Sequence, residues 1–304
     1  MDIMIVIEQM IQLFIMIAVG YGLGKIKLLN CDFQNQLTKF VLNLTMPCMI
    51  IASVLSSQTV SLALSDILIS TCILVIILPI FAYTCSSFLP LGNHKNLYMF
   101  MMMYPNVGFM GFPIMQAIFG NQSILNTAII NMAFNISLFT LGIFVMKNNS
   151  ERPQFQFRNL LSPGIISSIL AILIYLLEFN IPSIISQPLI LIGNMTTPLA
   201  MIIIGASLTI YPLKSIFNDY KVYIYTLFID LFIPILFYPM ISYFINDSMI
   251  QGITFIILAM PVANGAVLFA KTYQQDEFLA AKTVFMSTLL GVITIPILVY
   301  VFLI

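Results

Sequence analysis

The feature that most constrains this chain is a succession of ten apolar runs, each about as long as a bilayer is thick. They cover about residues 4–24, 37–56, 63–88, 97–119, 124–146, 162–179, 184–209, 222–245, 250–272 and 279–303. Roughly 20 apolar residues in a helix span the hydrocarbon core. No water in that core can satisfy a bare N–H or C=O, so a spanning backbone must pair with itself. The runs therefore predict an all-α membrane protein of ten transmembrane helices. Composition agrees, because 61% of the 304 residues are hydrophobic and 7% are charged, against about 25% charged in a soluble domain.

The charges then orient the chain. All eleven Lys and Arg residues fall in or beside odd-numbered loops: Lys25, Lys27, Lys39, Lys95, Lys147, Arg152, Arg158, Lys214, Lys221, Lys271 and Lys282. The even-numbered loops and the termini carry Asp66, Glu178 and Asp247, with Asp2 and Glu8 at the start. The positive-inside rule puts the odd loops in the cytoplasm and both termini outside. One missed helix would scramble this alternation, so it also supports the count of ten. Tryptophan is absent, which leaves tyrosines such as Tyr21, Tyr98, Tyr211 and Tyr243 as interface anchors. The start, MDIMIVIEQM, has no basic segment of the kind that precedes a cleaved signal peptide.

Several function classes drop out. A net charge of zero gives no footprint for nucleic acid. Cys31, Cys48, Cys72 and Cys85 lack metal or disulfide spacing. The lone His94 lies in a polar loop beside Lys95. An intramembrane enzyme would need a nucleophile–base pair or a metal cluster within the spans, and neither is visible, so no catalytic residue, metal or cofactor is assigned.

The fourth run contains MYPNVGFMGFPI, with two prolines, two glycines and an asparagine between Pro105 and Pro113. Proline removes a helix hydrogen bond and clashes with the preceding turn. The ninth run contains PVANG, from Pro261 to Gly265, 156 residues after Pro105. A second echo links NLTMP in the second run to NMTTP in the seventh: Asn43 and Pro47 against Asn194 and Pro198, 151 residues apart. A third links Thr127, Asn131 and Asn135 on one helix face of the fifth run to Thr283, Ser287 and Gly291 in the tenth, again 156 apart. These echoes predict a 5+5 inverted repeat: residues 1–146, a short cytoplasmic linker at 147–161, and residues 162–304. Five spans per half force the second copy to insert upside down. Such repeats with one interrupted helix each are the signature of secondary transporters. Broken helices expose amide ends that bind anions without a buried cation.

The stretches AVGYGLGKIKLL, LNLTMPCMIIASVL, PNVGFMGFPIMQAIFG, TTPLAMIIIGASL and MPVANGAVLFAKTY together resemble the auxin efflux carrier family in its short prokaryotic form. The resemblance runs over nearly the whole chain, and its most specific part is Asn106, Gly108, Gly111 and Pro113. It implies a fold related to the bile acid–sodium symporters, in which spans 4 and 9 unwind and cross. Spans 1, 2, 6 and 7 would form a scaffold, and spans 3–5 and 8–10 a mobile transport domain. It also implies a small organic anion as substrate, malate- or malonate-like or an auxin-like aromatic monocarboxylate, and a homodimer built through the scaffold.

Within that frame the expected substrate-binding residues are Pro105, Asn106, Gly108, Pro113, Pro261, Asn264, Gly265, Asn131 and Asn135. Asparagines in the breaks have a structural alternative, which is to satisfy local amides. Asp230 lies well inside a span, where a charge costs about 2.5–3.5 kcal/mol. It is expected to handle a coupling ion, H+ or Na+, with Thr127 and Ser287 as further candidates; lying about eight residues into its helix, it has the alternative of reaching water or a neighbouring serine. The polar stripe has an equal structural reading, hydrogen bonding between helices. Asp66, near an outer helix end, reads as a solvated cap, with facing the cavity as the alternative. Asn43, Pro47, Asn194 and Pro198 are expected to kink scaffold helices beside the cavity. The glycines of GYGLG fit close helix packing. The whole reads as a plasma-membrane, multi-pass secondary transporter working by alternating access of an elevator type. An anion channel on the same helices is the alternative.

Overall fold

The computed structural model describes residues 3–56, 63–88, 92–147, 163–177, 179, 181–209 and 219–303. Among these residues the fold is all-helical, and the one extended feature is an isolated bridge between Pro105 and Val262. Six helices are long and apolar enough to cross a membrane: α2 (Cys31–Leu55), α3 (Leu64–Phe88), α5 (Gln122–Met146), α7 (Ser183–Ser207), α8 (Tyr220–Phe244) and α10 (Glu277–Phe302). The others are α1 (Ile3–Lys25), the pair α4a (Lys95–Met103) and α4b (Val107–Phe119), α6 (Pro163–Leu176), and the pair α9a (Ser248–Ala259) and α9b (Gly265–Thr272). Most of the expected central linker, with Arg152 and Arg158, lies outside the described residues, as do Asp2, Glu178, Tyr211 and Lys214.

Capping moves one boundary that hydropathy misplaces. The second apolar run begins near residue 37, yet α2 starts at Cys31 because Asn30 caps it, its Oδ1 accepting from Phe33 N–H at 2.9 Å. Asn, Asp and Ser are favoured there because they satisfy an amide with no partner inside the helix.

Proline leaves a repeated mark. Among the described residues five π-turns interrupt the helices: Val41–Thr45, Ile73–Ile77, Val107–Gly111, Leu138–Gly142 and Phe228–Phe232. Four of them end two residues before a proline, namely Pro47, Pro79, Pro113 and Pro234. A proline has no N–H to offer the carbonyl four residues back and its ring clashes with it. Widening the turn upstream relieves both problems, and such bulges gather at functional sites. The residues four before these prolines are Asn43, Val75, Phe109 and Asp230. Pro198 stands in the same relation to Asn194, where α7 loosens into a turn at Met195.

Two groups of helices emerge from the packing. In one, α1 lies on α7, and α7 and α6 both lie on α2. The α1–α7 contact is backbone to backbone: Gly205 faces the Ile17 carbonyl and Gly20 faces the Ile202 carbonyl, with no room for a Cβ at either point. Small residues let membrane helices approach this closely. In the other group α3 packs on α4a, α8 on α9a, and α10 on both α8 and α9b. A small separate cluster of Met46, Met49, Ile50, Phe112, Ile124, Leu125, Ala128 and Ala171 lies where α2 and α6 meet α4b and α5.

Candidate functional site: two crossed helix breaks

Both interruptions read from the sequence are full breaks. Helix α4a ends at Met103 and α4b begins at Val107; α9a ends at Ala259 and α9b begins at Gly265. The two gaps cross. Asn106 N–H donates to the Pro261 carbonyl at 2.7 Å, and Ala263 N–H donates to the Tyr104 carbonyl at 3.2 Å, forming the antiparallel bridge of Pro105 with Val262. Each break thus satisfies backbone groups that the other frees, where unpaired groups in hydrocarbon would cost several kcal/mol each. The bridge is antiparallel, so α4b and α9b leave it in opposite directions.

Part of the amide supply expected for an anion is therefore spent on the crossing. At the start of α4b, Val107 N–H turns back to the Pro105 carbonyl at 2.9 Å, and Met110 and Gly111 N–H both reach the Asn106 carbonyl. The Asn106 side chain caps the helix, its Oδ1 accepting from Phe109 N–H at 3.2 Å. Two donors remain without a partner among the described residues: the Gly108 N–H and Asn106 Nδ2, the latter fully enclosed. A buried donor left unmade costs about 1–3 kcal/mol, and Asn106 Nδ2 carries that cost among the described residues. At the start of α9b the N–H groups of Asn264 and Gly265 are likewise free among the described residues. Asn264 differs from Asn106 in being half-buried, with helical φ and ψ and no side-chain cap. Gly265 is exposed, and nothing lies within 4 Å of where its Cβ would stand.

The crossing is anchored on both sides. On the first break, the Tyr104 hydroxyl sits 3.0 Å from the Ser137 carbonyl and 3.0 Å from Ser137 Oγ, and its ring packs over Gly142. On the second, the Pro261 ring lies against Gly291, where a Cβ would approach Cγ to 2.7 Å. Val262 N–H donates to Ser287 Oγ at 2.9 Å, and the Ser287 hydroxyl donates to Asp230 Oδ1 at 2.8 Å. Asp230 and Ser287, 57 residues apart, are thereby joined to the break itself.

The remaining expected residues scatter. Pro113 is buried in the first turn of the α-helical part of α4b, behind the π-turn it causes. Thr127 is fully buried with an unpartnered hydroxyl, while Asn131 and Asn135 are half-buried. Thr283 donates to the Leu279 carbonyl in its own helix. Asn43 and Asn194 are both exposed, and Asn43 Nδ2 donates to the Lys39 carbonyl at 2.7 Å. Asn43 thus serves its own widened turn. Asp66 is not solvated as expected: it is buried, and Oδ2 accepts from the N–H groups of Asn246 (3.0 Å) and Asp247 (2.6 Å), capping the approach to α9a. Two cross-links had no sequence signal, Thr254 to Ser70 at 2.7 Å and Thr197 to Gln116 Oε1 at 2.8 Å. Hydroxyls and amides of this kind are indistinguishable in sequence from residues bonding their own helix.

Residues 5–299 match the family described as Membrane transport protein. An uncharacterized transporter of Methanocaldococcus jannaschii is 23% identical over 303 residues, covering 96% of this chain and 97% of that protein. The chain is therefore a multi-pass membrane protein belonging to the membrane transport protein family, that of the auxin efflux carriers.

Proposed function

We propose that the protein is a secondary active transporter of a small organic anion, a malate- or malonate-like carboxylate, received at the crossed breaks. The observation that carries this reading is the enclosed, unpartnered Asn106 Nδ2 beside the free Gly108 N–H at the start of α4b. Helix amide ends favour negative charge, and neither break contains a Lys or Arg in its own sequence. Asn264 and Gly265 add donors on the other side of the bridge, with Asn131 and Asn135 as further polar lining.

The same proposal takes the chain as ten spans in two inverted halves, with odd loops and Lys-rich ends cytoplasmic, both termini outside, and the plasma membrane as its site. Shared features of the halves support it. The π-turns of α3 and α8 stand 155 residues apart, each followed by its proline, and the two breaks stand 156 apart. Helices α1, α2, α6 and α7 serve as a scaffold, dimeric in the working carrier. Helices α3–α5 and α8–α10 move as an elevator against it. The apolar cluster between α2, α6, α4b and α5 suits a surface that must slide.

Labelled malate, malonate and indole-3-acetate in reconstituted liposomes test the reading. A carrier gives saturable counterflow of one of them, and Asn106→Ala abolishes it while the protein stays folded in the membrane. Flux without counterflow favours a channel; counterflow unchanged by Asn106→Ala removes the crossing from the mechanism.

A further inference from the structure

Asp230 lies completely buried in the π-turn of α8 with one oxygen bonded to Ser287 and the other, Oδ2, without a partner among the described residues. None of the described ion pairs involves it: Lys282 pairs with Asp219 and His94 with Asp276. An isolated buried carboxylate is so costly that the group takes up a proton or a cation. Divalent hard cations gather six or more oxygens. Here the bonded neighbour is one hydroxyl already engaged on both sides, and no cluster of three acidic, His or Cys residues exists among the described residues. A proton needs only the vacant lone pair of Oδ2.

We propose that Asp230 is a proton-binding site and that Ser287 transmits its state to the second break by holding Val262. Binding places a proton on Oδ2 and breaks no other bond. Removing it leaves a full charge on the acceptor of the Ser287 hydroxyl, and a charge-assisted hydrogen bond is roughly twice as strong as a neutral one. Ser287 is then fixed, with its lone pair toward Val262 N–H. Protonation loosens that hold. Val262 is the bridge partner of Pro105, so one proton bears on both breaks.

A cavity of about 740 Å³, lined by Tyr98, Lys221, Tyr225 and Phe228 among others, lies along the first half of α8, while Asp230 itself is fully enclosed. The groups able to influence the titration are few. From α8 itself come Tyr225, whose hydroxyl donates to the Tyr98 carbonyl, and Lys221 at the helix start. Tyr98 belongs to α4a. On α10, Lys282 is paired and Glu277 is in the first turn. On α3, Asp66 is engaged with two amides, and Tyr83, Cys72 and Cys85 are its other titratable groups. Helix α9a carries none.

The proton site stands on this geometry alone; its use in coupling rests on the proposed transport function. Infrared difference spectra of the purified protein in nanodiscs, taken across a pH titration, test the site without any substrate. The expected result is a protonated-carboxyl carbonyl band that shifts on isotope labelling of aspartate, vanishes in Asp230→Asn and changes frequency in Ser287→Ala. No aspartate band, or one untouched by Asp230→Asn, overturns the site. A band unaffected by Ser287→Ala overturns the link to Val262. In liposomes, a pH gradient is expected to drive malate accumulation that Asp230→Asn removes and Ser287→Ala lowers several-fold. Accumulation equal to wild type in Asp230→Asn overturns the coupling. Absence of malate counterflow in wild type counts against the proposed substrate, while the infrared band still decides the proton site.

Discussion

The two breaks occupy equivalent places and cross one another, yet they are built differently. The first is closed by its own asparagine: Asn106 is buried, caps α4b, and keeps one amide donor in reserve. The second has an asparagine that caps nothing and is half-buried; its geometry is held from outside by Ser287 and Gly291 of α10. Similar local sequences are therefore held in two different ways. In the proposed reading the first break, with its buried unpartnered donor, receives the ligand, and the second, tied to a buried carboxyl, senses a proton. The contrast extends to the flanking helices, since the residue four before the proline is Asp230 in the π-turn of α8 and Val75 in that of α3.

From this asymmetry the largest expected effect belongs to Asn106→Ala. Losing a hydrogen bond to a charged ligand costs about 1.5–3 kcal/mol, which is roughly 10–200-fold in carboxylate affinity. The lost cap removes about 0.5–2 kcal/mol of stability, readable in a thermal melt. Gly291→Ala comes next. It pushes a methyl into the Pro261 ring and should destabilise the protein by about 1–3 kcal/mol, as overpacking does, lowering both melting temperature and transport. Asn264→Ala should have a smaller effect. Stability should change by no more than about 0.5 kcal/mol, as at a surface position, and affinity should drop by less than for Asn106→Ala, because water can replace a half-buried donor. An Asn264→Ala effect as large as that of Asn106→Ala would break the asymmetry. Ser137→Ala should be the mildest, about 1 kcal/mol or less in a thermal melt, because the Tyr104 hydroxyl keeps the Ser137 carbonyl as acceptor.

Much of the helical pattern is legible in the sequence. Apolar runs mark the helices because hydrocarbon leaves the backbone no alternative. The clusters at Pro105–Pro113 and Pro261–Gly265 mark the breaks because proline cannot complete a turn. Other features are not legible. The beginning of α2 depends on the Asn30 cap, which hydropathy ignores. The bridge of Pro105 with Val262 depends on two gaps meeting in space, and the spacing of motifs carries no such distance. Asp66 looks solvated from its place near a helix end, and only the neighbouring turn at Asn246 and Asp247 explains its burial. Asp230 and Ser287 are each visible, one as a charge in a span and the other through the 156-residue echo. Their hydrogen bond is not, since nothing in sequence says which polar face of α10 meets which turn of α8.

In the proposed mechanism the crossed breaks receive a carboxylate through Asn106. Its most direct test is ligand-induced thermal stabilisation of the purified protein, with malate, malonate or indole-3-acetate, compared between wild type and Asn106→Ala. A ligand present at about 100 times its Kd raises stability by about 2.7 kcal/mol. The prediction is a clear upward shift for wild type with one of these acids and little or none for Asn106→Ala at the same concentration. Equal shifts in the two proteins would place the carboxylate elsewhere and contradict the account.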